Sequence, residues 1–433
     1  MTKILILGGG LTGLELGRRL SKDNTDFLIL EKENEIGGLC RTNNTDGYRW
    51  DFAAHAIYSH DKATMDYFLS LPLEYVHIDR NVKVFHTGDD GKRYIVSYPF
   101  EVGIKELPLK DKWECVRGYL LAQRKKNKNY TNLEEWIWGY LGYGIAKHFM
   151  IPYNNKIWNC GLSEISEKLV SSKIEPESAF NVILSILGKN VVGRACQGHF
   201  IYPREGIHAL PNYTAKDIEN KIIRKADVKS LQKADDKWSV LTASGACYKA
   251  KTIISTIPLP ELLKKINING LKKEYDAFKW NNTYFIMVGL KKGHDFNLIG
   301  NCQWAFFKED EIFYRLTLPH NFNKEFMPVL VAEITQKAAA LRMTAPELKR
   351  LVIKDLLRLN IISSEDQIAR TDIKLIQYTY PILTVNLEAE KRRIRRALEK
   401  ENLFLLGRSG NWEYLNMNHV IMSVKNFHEK YQF

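Results

Sequence analysis

The chain opens on "KILILGGGLTGLELGRRLSK": a short apolar run, a glycine turn and an amphipathic stretch. No other segment limits the fold so tightly. The apolar run reads as a buried strand, and the leucines that recur every few positions after it read as a helix. Gly8, Gly10 and Gly13 fall as G-x-G-x-x-G at the joint. In such a unit one glycine makes the tight turn, one lets the backbone approach a pyrophosphate, and one lets the helix settle on the strand. The anion would sit on the helix N-terminus, where free N–H groups and the dipole favour negative charge. "FLILEK" supplies the second strand. Glu31 at its end can accept hydrogen bonds from a ribose hydroxyl, and an acid there disfavours the 2′-phosphate of NADP. A dinucleotide-binding βαβ unit therefore begins the chain.

At 433 residues the chain is too long for one small core. "VKVFHTGDDGKRYIVSYPF" reads as a hairpin, and residues 105–195 read as helical and aromatic. "TYFIMVGL" and "EIFYRLTL" read as strands of a second sheet, "ELKRLVIKDLLRLN" as an amphipathic helix, and "NLFLLGR" as a late buried strand before a closing helix. The first and last elements belong to one nucleotide-binding sheet, so the architecture is expected to be discontinuous. The expected class is α/β, a Rossmann-type domain with an inserted helical domain and an antiparallel β-sheet substrate domain. Residues 1–62, 197–268 and 400–433 are assigned to the first, 105–196 to the second, and 63–104 with 269–399 to the third.

Net charge is +13, concentrated in "QRKKNKN" (123–129) and "KRRIRR" (391–396). Such runs serve an acidic partner or simply form solvated faces. No RNA-binding aromatic signature or DNA-binding motif accompanies them, so no nucleic-acid partner is expected. No apolar run approaches the roughly 20 residues of a membrane span, and "ILIL" is too short for a signal segment. Six scattered cysteines without a CxxC pair suit a reducing cytoplasm. No metal is expected. His55 and His60 are spaced so that neither a helix nor a strand points both rings one way, and no HExxH motif supports them.

A second glycine pair, Gly37 and Gly38 in "EKENEIGGLCRT", follows the ribose-binding acid, with Arg41 after it. This pattern and the closing "LFLLGR" resemble the FAD superfamily of amine oxidases, protoporphyrinogen oxidases and sugar-nucleotide mutases. "GYRWDFAAHAIYSH", "YPFEVGIKELP", "YGIAKHFMIPYNNKIW", "CQWAFFKEDEIFYRLTL", "YTYP" and "GRSGNWEYLNMNH" resemble the UDP-galactopyranose mutase family, its eukaryotic branch above all, or a close sugar-nucleotide mutase neighbour. These patches keep the family's order over nearly the whole chain.

The resemblance implies FAD as cofactor, bound through Gly8, Gly10, Gly13, Glu31, Gly37, Gly38, Arg41, His55, Gly407, Arg408 and Asn418. It implies a redox-neutral reaction: N5 of reduced flavin attacks the anomeric carbon of a nucleotide-diphosphate sugar, and pyranose and furanose rings interconvert for cell-surface glycan synthesis (galactofuranose in the type family). An external reductant, NAD(P)H or a reductase, would keep the flavin reduced. Arg315 matches the family's diphosphate-binding arginine, and Tyr380 and Tyr414 match its diphosphate-binding tyrosines. Tyr98, Phe100, Phe149 and Trp158 match a base-binding wall, with Asn154 as a polar contact. His55 matches a histidine against the flavin ring. Arg315 and His55 are the expected catalytic residues.

Several positions depart from the pattern. Ile151 replaces an arginine, Glu101 a glutamine, and Ala305 and Phe322 tyrosines; Lys168 is a candidate for a second substrate arginine. The family's "GGH" is "AAH" here, ending at His55, with a stiffer backbone than glycine gives. Base and sugar stay open, as does the oligomeric state. An FAD-dependent oxidase or desaturase of the amine-oxidase and protoporphyrinogen-oxidase type is the alternative. A flavin-bound interaction protein is a further one.

Overall fold

The computed structural model describes residues 2–53, 55–124, 129–171, 178–186, 198–268, 271, 274–337 and 342–431. Two seven-stranded sheets organise it. The first is built on β1 (Thr2–Leu7), whose apolar side chains are buried, paired in parallel with β2 (Phe27–Leu30) on one side and β12 (Cys247–Ser255) on the other. The two-residue β9 (Ile222–Ile223) extends it beyond β2, and β18 (Leu403–Leu405) joins β12 in parallel. The hairpin β10 (Val228–Ala234) and β11 (Lys237–Thr242) adds antiparallel strands beside β12. A helix, α1 (Leu11–Lys22), buries Leu14, Leu16 and Leu20 against the sheet with Val424 of the last helix, Met417–Tyr431.

The second sheet runs β17 (Ile368–Ile382), β13 (Lys279–Leu290), β16 (Val329–Thr335), β15 (Arg315–Thr317), β14 (Trp304–Phe306), β6 (Val82–Thr87) and β7 (Arg93–Ser97). It is antiparallel except between β14 and β6. Leu348, Val352 and Leu356 of the helix Ala345–Arg358 cover one face. That helix starts from a capping box in which Thr344 and Glu347 satisfy each other's backbone N–H. Two small ribbons remain: β3 (Thr42–Thr45) with β4 (Tyr48–Asp51), and β5 (Tyr75–Asp79) with β8 (His199–Pro203).

Residues 109–123 and 133–157 are largely helical, with π-helical stretches at Ile137–Leu141 and Ala146–Met150. The basic helix Leu387–Lys400 turns its arginines outward and buries Leu387, Ile394 and Leu398 in the core that holds β12 and β18. This helix therefore goes with the parallel sheet, whereas the sequence reading grouped it with the antiparallel one; its apolar stripe decides the matter. Most of the basic run 123–129 lies outside the described residues. No helix among the described residues is long and apolar enough to cross a membrane.

Candidate active site

A cleft of about 850 Å³ lies between the two sheets. One end is made of backbone. Gly8 follows β1 with φ +104, a conformation that favours glycine. Gly10 is the N-cap of α1 and offers no capping side chain, so the first N–H groups of the helix face the cleft. Gly10 also bridges to Gly37, and a Cβ on Gly38 would come within 3.3 Å of Gly10 Cα. Gly13 lies beneath the surface, where a Cβ would collide with the carbonyl oxygen of Gly8. The carboxylate of Glu31 is fixed from both sides: Gly9 N–H donates to Oε2 (2.7 Å) and Glu33 N–H to Oε1 (2.8 Å). Arg41 donates from Nε to Gly38 O (2.8 Å). A glycine cradle, bare helix N–H groups and an oriented carboxylate fit an adenine dinucleotide.

Midway along the cleft stands His55, its side chain 10% exposed and its Nδ1 3.5 Å from Asp51 Oδ2. Asp51 is held in turn by Thr42 Oγ1 (2.6 Å) and the Tyr202 hydroxyl (2.7 Å). Burial opposes charge on the imidazole, but Asp51 and Cys40 outweigh it and push its pKa up to about 10. Asp51 therefore favours the protonated imidazole against the cost of burial. Ala53, two residues before it, has φ +64, the left-handed region that favours glycine. His60 is exposed and does not line the cleft, so the two histidines share no ligand.

The far end is made of side chains. Phe306, Arg315 and Glu333 sit in register across β14, β15 and β16. Arg315 donates from Nε to Glu333 Oε1 (2.7 Å), and from one terminal nitrogen to Glu333 Oε2 (2.6 Å) and to the Tyr380 hydroxyl (2.9 Å). Glu333 is 0% exposed and also accepts from Tyr314 (2.8 Å) and Thr317 (3.0 Å). Burial disfavours the guanidinium, yet Glu333 holds its pKa well above the ordinary arginine value. The Tyr414 ring lies 5.7 Å from that of Tyr380, and burial, helped by Tyr380, pushes the Tyr414 phenol up to about 12. Arg408 lies over Tyr414 (4.4 Å) and is anchored on the carbonyls of Leu415 (2.8 Å) and Thr379 (3.0 Å). Arg80 reaches the same cleft over the rings of Tyr98 (5.0 Å) and Trp304 (5.8 Å).

Residues 6–71 match the profile of an NAD(P)-binding Rossmann-like domain, and residues 174–289 that of flavin containing amine oxidoreductases. In three dimensions the chain is similar to a reduced UDP-galactopyranose mutase (TM-score 0.88, 24% identity, covering 99% of this chain and 94% of that one). It is also similar to a provisional protoporphyrinogen oxidase from Exiguobacterium sp. 255-15 (TM-score 0.78, 15% identity, 99% and 98%). The chain has the fold of the FAD-dependent amine oxidoreductases and mutases. A 55-residue stretch is 49% identical to an uncharacterized protein in the nifH2 3′ region of Methanothermococcus thermolithotrophicus, 13% of this chain. The chain spans about half the length of that curated relative. Cleft, profiles and fold agree on FAD as the cofactor.

Within this flavoprotein fold, Gly8, Gly10, Glu31, Gly37, Gly38, Arg41, His55, Arg315, Tyr380, Arg408 and Tyr414 come together on one cleft. Gly407 (φ +78) supports it from behind, packed against Thr12. Asn418 is buried but does not line the cleft; Asn416 does, and donates to the Tyr58 hydroxyl (3.0 Å).

The structure places the residues expected at a base away from the cleft lining. Phe100 and Phe149 are buried and stacked on each other at 4.9 Å, leaving no slot between their faces. Asn154 is committed to Met150 O (2.8 Å) and to the indole N–H of Trp158 (3.0 Å). Trp158 meets Tyr380 edge-on at 6.1 Å. None of these four lines the cleft, and neither does Tyr98, which packs on Phe306 (5.4 Å) and under Arg80. Trp304 and Phe306 do line the cleft, beside the tyrosines Tyr58, Tyr378, Tyr380 and Tyr414, with Tyr153 behind Phe306 (5.1 Å).

Lys168 is exposed and does not line the cleft, whereas Arg80 does. Phe322 and Ala305 are buried in the core, Phe322 against Tyr202 (5.1 Å) and Trp304 (5.1 Å). Ile151 is half-buried against the helical core, and the buried Glu101 raises the pKa of the Tyr98 phenol behind burial itself.

Proposed function

We propose that this chain is an FAD-dependent mutase that interconverts ring forms of a nucleotide-diphosphate sugar. One observation carries the reading: Arg315, Tyr380, Tyr414 and Arg408 stand on the same cleft as the glycine cradle for the cofactor. When bound in reduced form, FAD supplies a nucleophilic N5 for the anomeric carbon and returns its electrons unspent. The chain does the rest. Arg315 and the two phenols receive the leaving diphosphate, each charge-assisted hydrogen bond contributing roughly 1.5–3 kcal/mol. Glu333 aims Arg315 by occupying its Nε and one terminal nitrogen. Trp304 and Phe306 offer a flat surface to a base. In this reading His55, whose protonation Asp51 favours, would stabilise negative charge on a reduced ring.

The reductant in this reading is NAD(P)H or a reductase. The five cysteines among the described residues are all free, which supports a cytoplasmic setting.

Residues 174–289 favour a second reading, an oxidoreductase of the amine-oxidase type. One experiment separates the two. The purified protein is reduced anaerobically and offered UDP-, dTDP-, CDP- and GDP-sugars in both ring forms, with products resolved by chromatography. The oxidised protein is offered amines and a porphyrinogen in parallel. Ring interconversion by the reduced form is the expected result. Turnover by the oxidised form alone overturns the mutase reading.

A further inference from the structure

Away from the cleft, three side chains with metal-binding chemistry converge inside the protein. His86 comes from β6, Asp111 from the first turn of the helix Leu109–Gln123, and His148 from the π-helical stretch Ala146–Met150. Their ligand atoms lie within 4.8 Å of one another. They are 1%, 0% and 5% exposed, respectively. His86 Nε2 is 2.7 Å and His148 Nδ1 3.9 Å from the same oxygen, Asp111 Oδ2.

The opposite nitrogen of His148 is already engaged, with Nε2 2.9 Å from Glu114 Oε2. When that N–H donates to Glu114, the Nδ1 lone pair points at Asp111, and two acceptors face each other. Asp111 Oδ1 and His86 Nδ1 have no hydrogen-bond partner despite full burial. A buried carboxylate so placed is costly unless a cation stands beside it.

We propose that His86, Asp111 and His148 bind a divalent transition-metal ion, Zn²⁺ by their donor set. Two imidazole nitrogens and a carboxylate oxygen are ordinary zinc ligands. Metal–ligand bonds of about 2.0–2.1 Å in a tetrahedron put donors about 3.3 Å apart. The distances of 2.7 and 3.9 Å fall on either side of that value. Glu114 takes the part of the outer carboxylate that orients a metal-bound histidine. The π-helical turn under His148 is the kind of local insertion that often marks a binding residue.

The cluster does not line the cleft, so the ion's work is structural. It ties the hairpin β6–β7 to the helical segment. Arg80, which lines the cleft, precedes that hairpin, so the ion also steadies the far wall of the cleft. The inference is independent of which reaction the flavin site performs.

The test loads the purified holoprotein with Zn²⁺, removes excess by gel filtration and counts metal by mass spectrometry. A parallel sample takes Co²⁺ and is read by visible absorption. Expected are one retained Zn²⁺ per chain, a thermal midpoint several degrees higher, and the strong visible bands of tetrahedral cobalt. His86→Gln and Asp111→Asn should lose all three. The proposal is overturned if the wild type retains no Zn²⁺ and shows no cobalt bands. It is equally overturned if Asp111→Asn holds metal as the wild type does, since the ion would then sit on other histidines. If both variants fail to fold, the cobalt spectrum of the wild type decides alone.

Discussion

The two ends of the cleft are built in opposite ways. The cofactor end is mostly backbone, drawn from the first 41 residues and shaped by where a Cβ cannot fit. The far end is made of side chains, with Arg315, Glu333, Tyr380 and Tyr414 brought together by strand pairing and a late loop. A backbone site tolerates almost no substitution at its glycines and much elsewhere. A side-chain site spreads its tolerance, because each member is partly supported by the others.

The sharpest way to break that comparison is Gly13→Val. The new side chain would push into the Gly8 carbonyl, so the variant should purify without flavin or not fold, as read by absorbance and circular dichroism. A yellow, stable variant would mean that the turn is not rigid.

Arg315→Ala comes next. It leaves Glu333 buried without its cation, so stability should fall by about 3–5 kcal/mol in denaturant melts. Arg315→Lys keeps the charge but loses the two-pronged contact, and should lose less. Equal losses would show that geometry is irrelevant to the pair.

Tyr380→Phe removes one hydroxyl that accepts from Arg315, worth about 1 kcal/mol. Turnover should drop about fivefold with an unchanged flavin spectrum; a changed spectrum would place Tyr380 at the cofactor instead.

The smallest effect is a slope. The pKa of His55 is raised in the folded state, so its pairing stabilises the protein fully below the unfolded value near 6.5 and is lost as pH climbs to about 10. His55→Gln should flatten that decline in melts run from pH 6 to pH 10. An unaltered slope would mean that the proton resides elsewhere.

This contrast also explains what the sequence disclosed. Glycine spacing and an acid after a strand are local signals, so Gly8 to Arg41 could be read directly. Aromatic residues at core spacing look the same whether they line a pocket or fill a core. That is why Phe100 and Phe149 were expected at a base and are stacked on each other instead. Glu333 was missed although it left a trace: a lone carboxylate in the strand "VLVAEIT", buried throughout, must have a cation partner. Arg80 left none. It follows β5 directly, and only the fold brings it over Tyr98 and Trp304.

The way the parallel sheet is assembled has a consequence for synthesis. β1 and α1 are made long before β18 and the helix Met417–Tyr431, which complete their sheet and cover. The nascent cofactor site must therefore wait, partly uncovered, while all the strands between them are made. Contacts so distant along the chain form slowly and leave apolar surface open to aggregation in the meantime. Chaperone supply and flavin concentration during expression should consequently govern how much of this protein reaches its finished form.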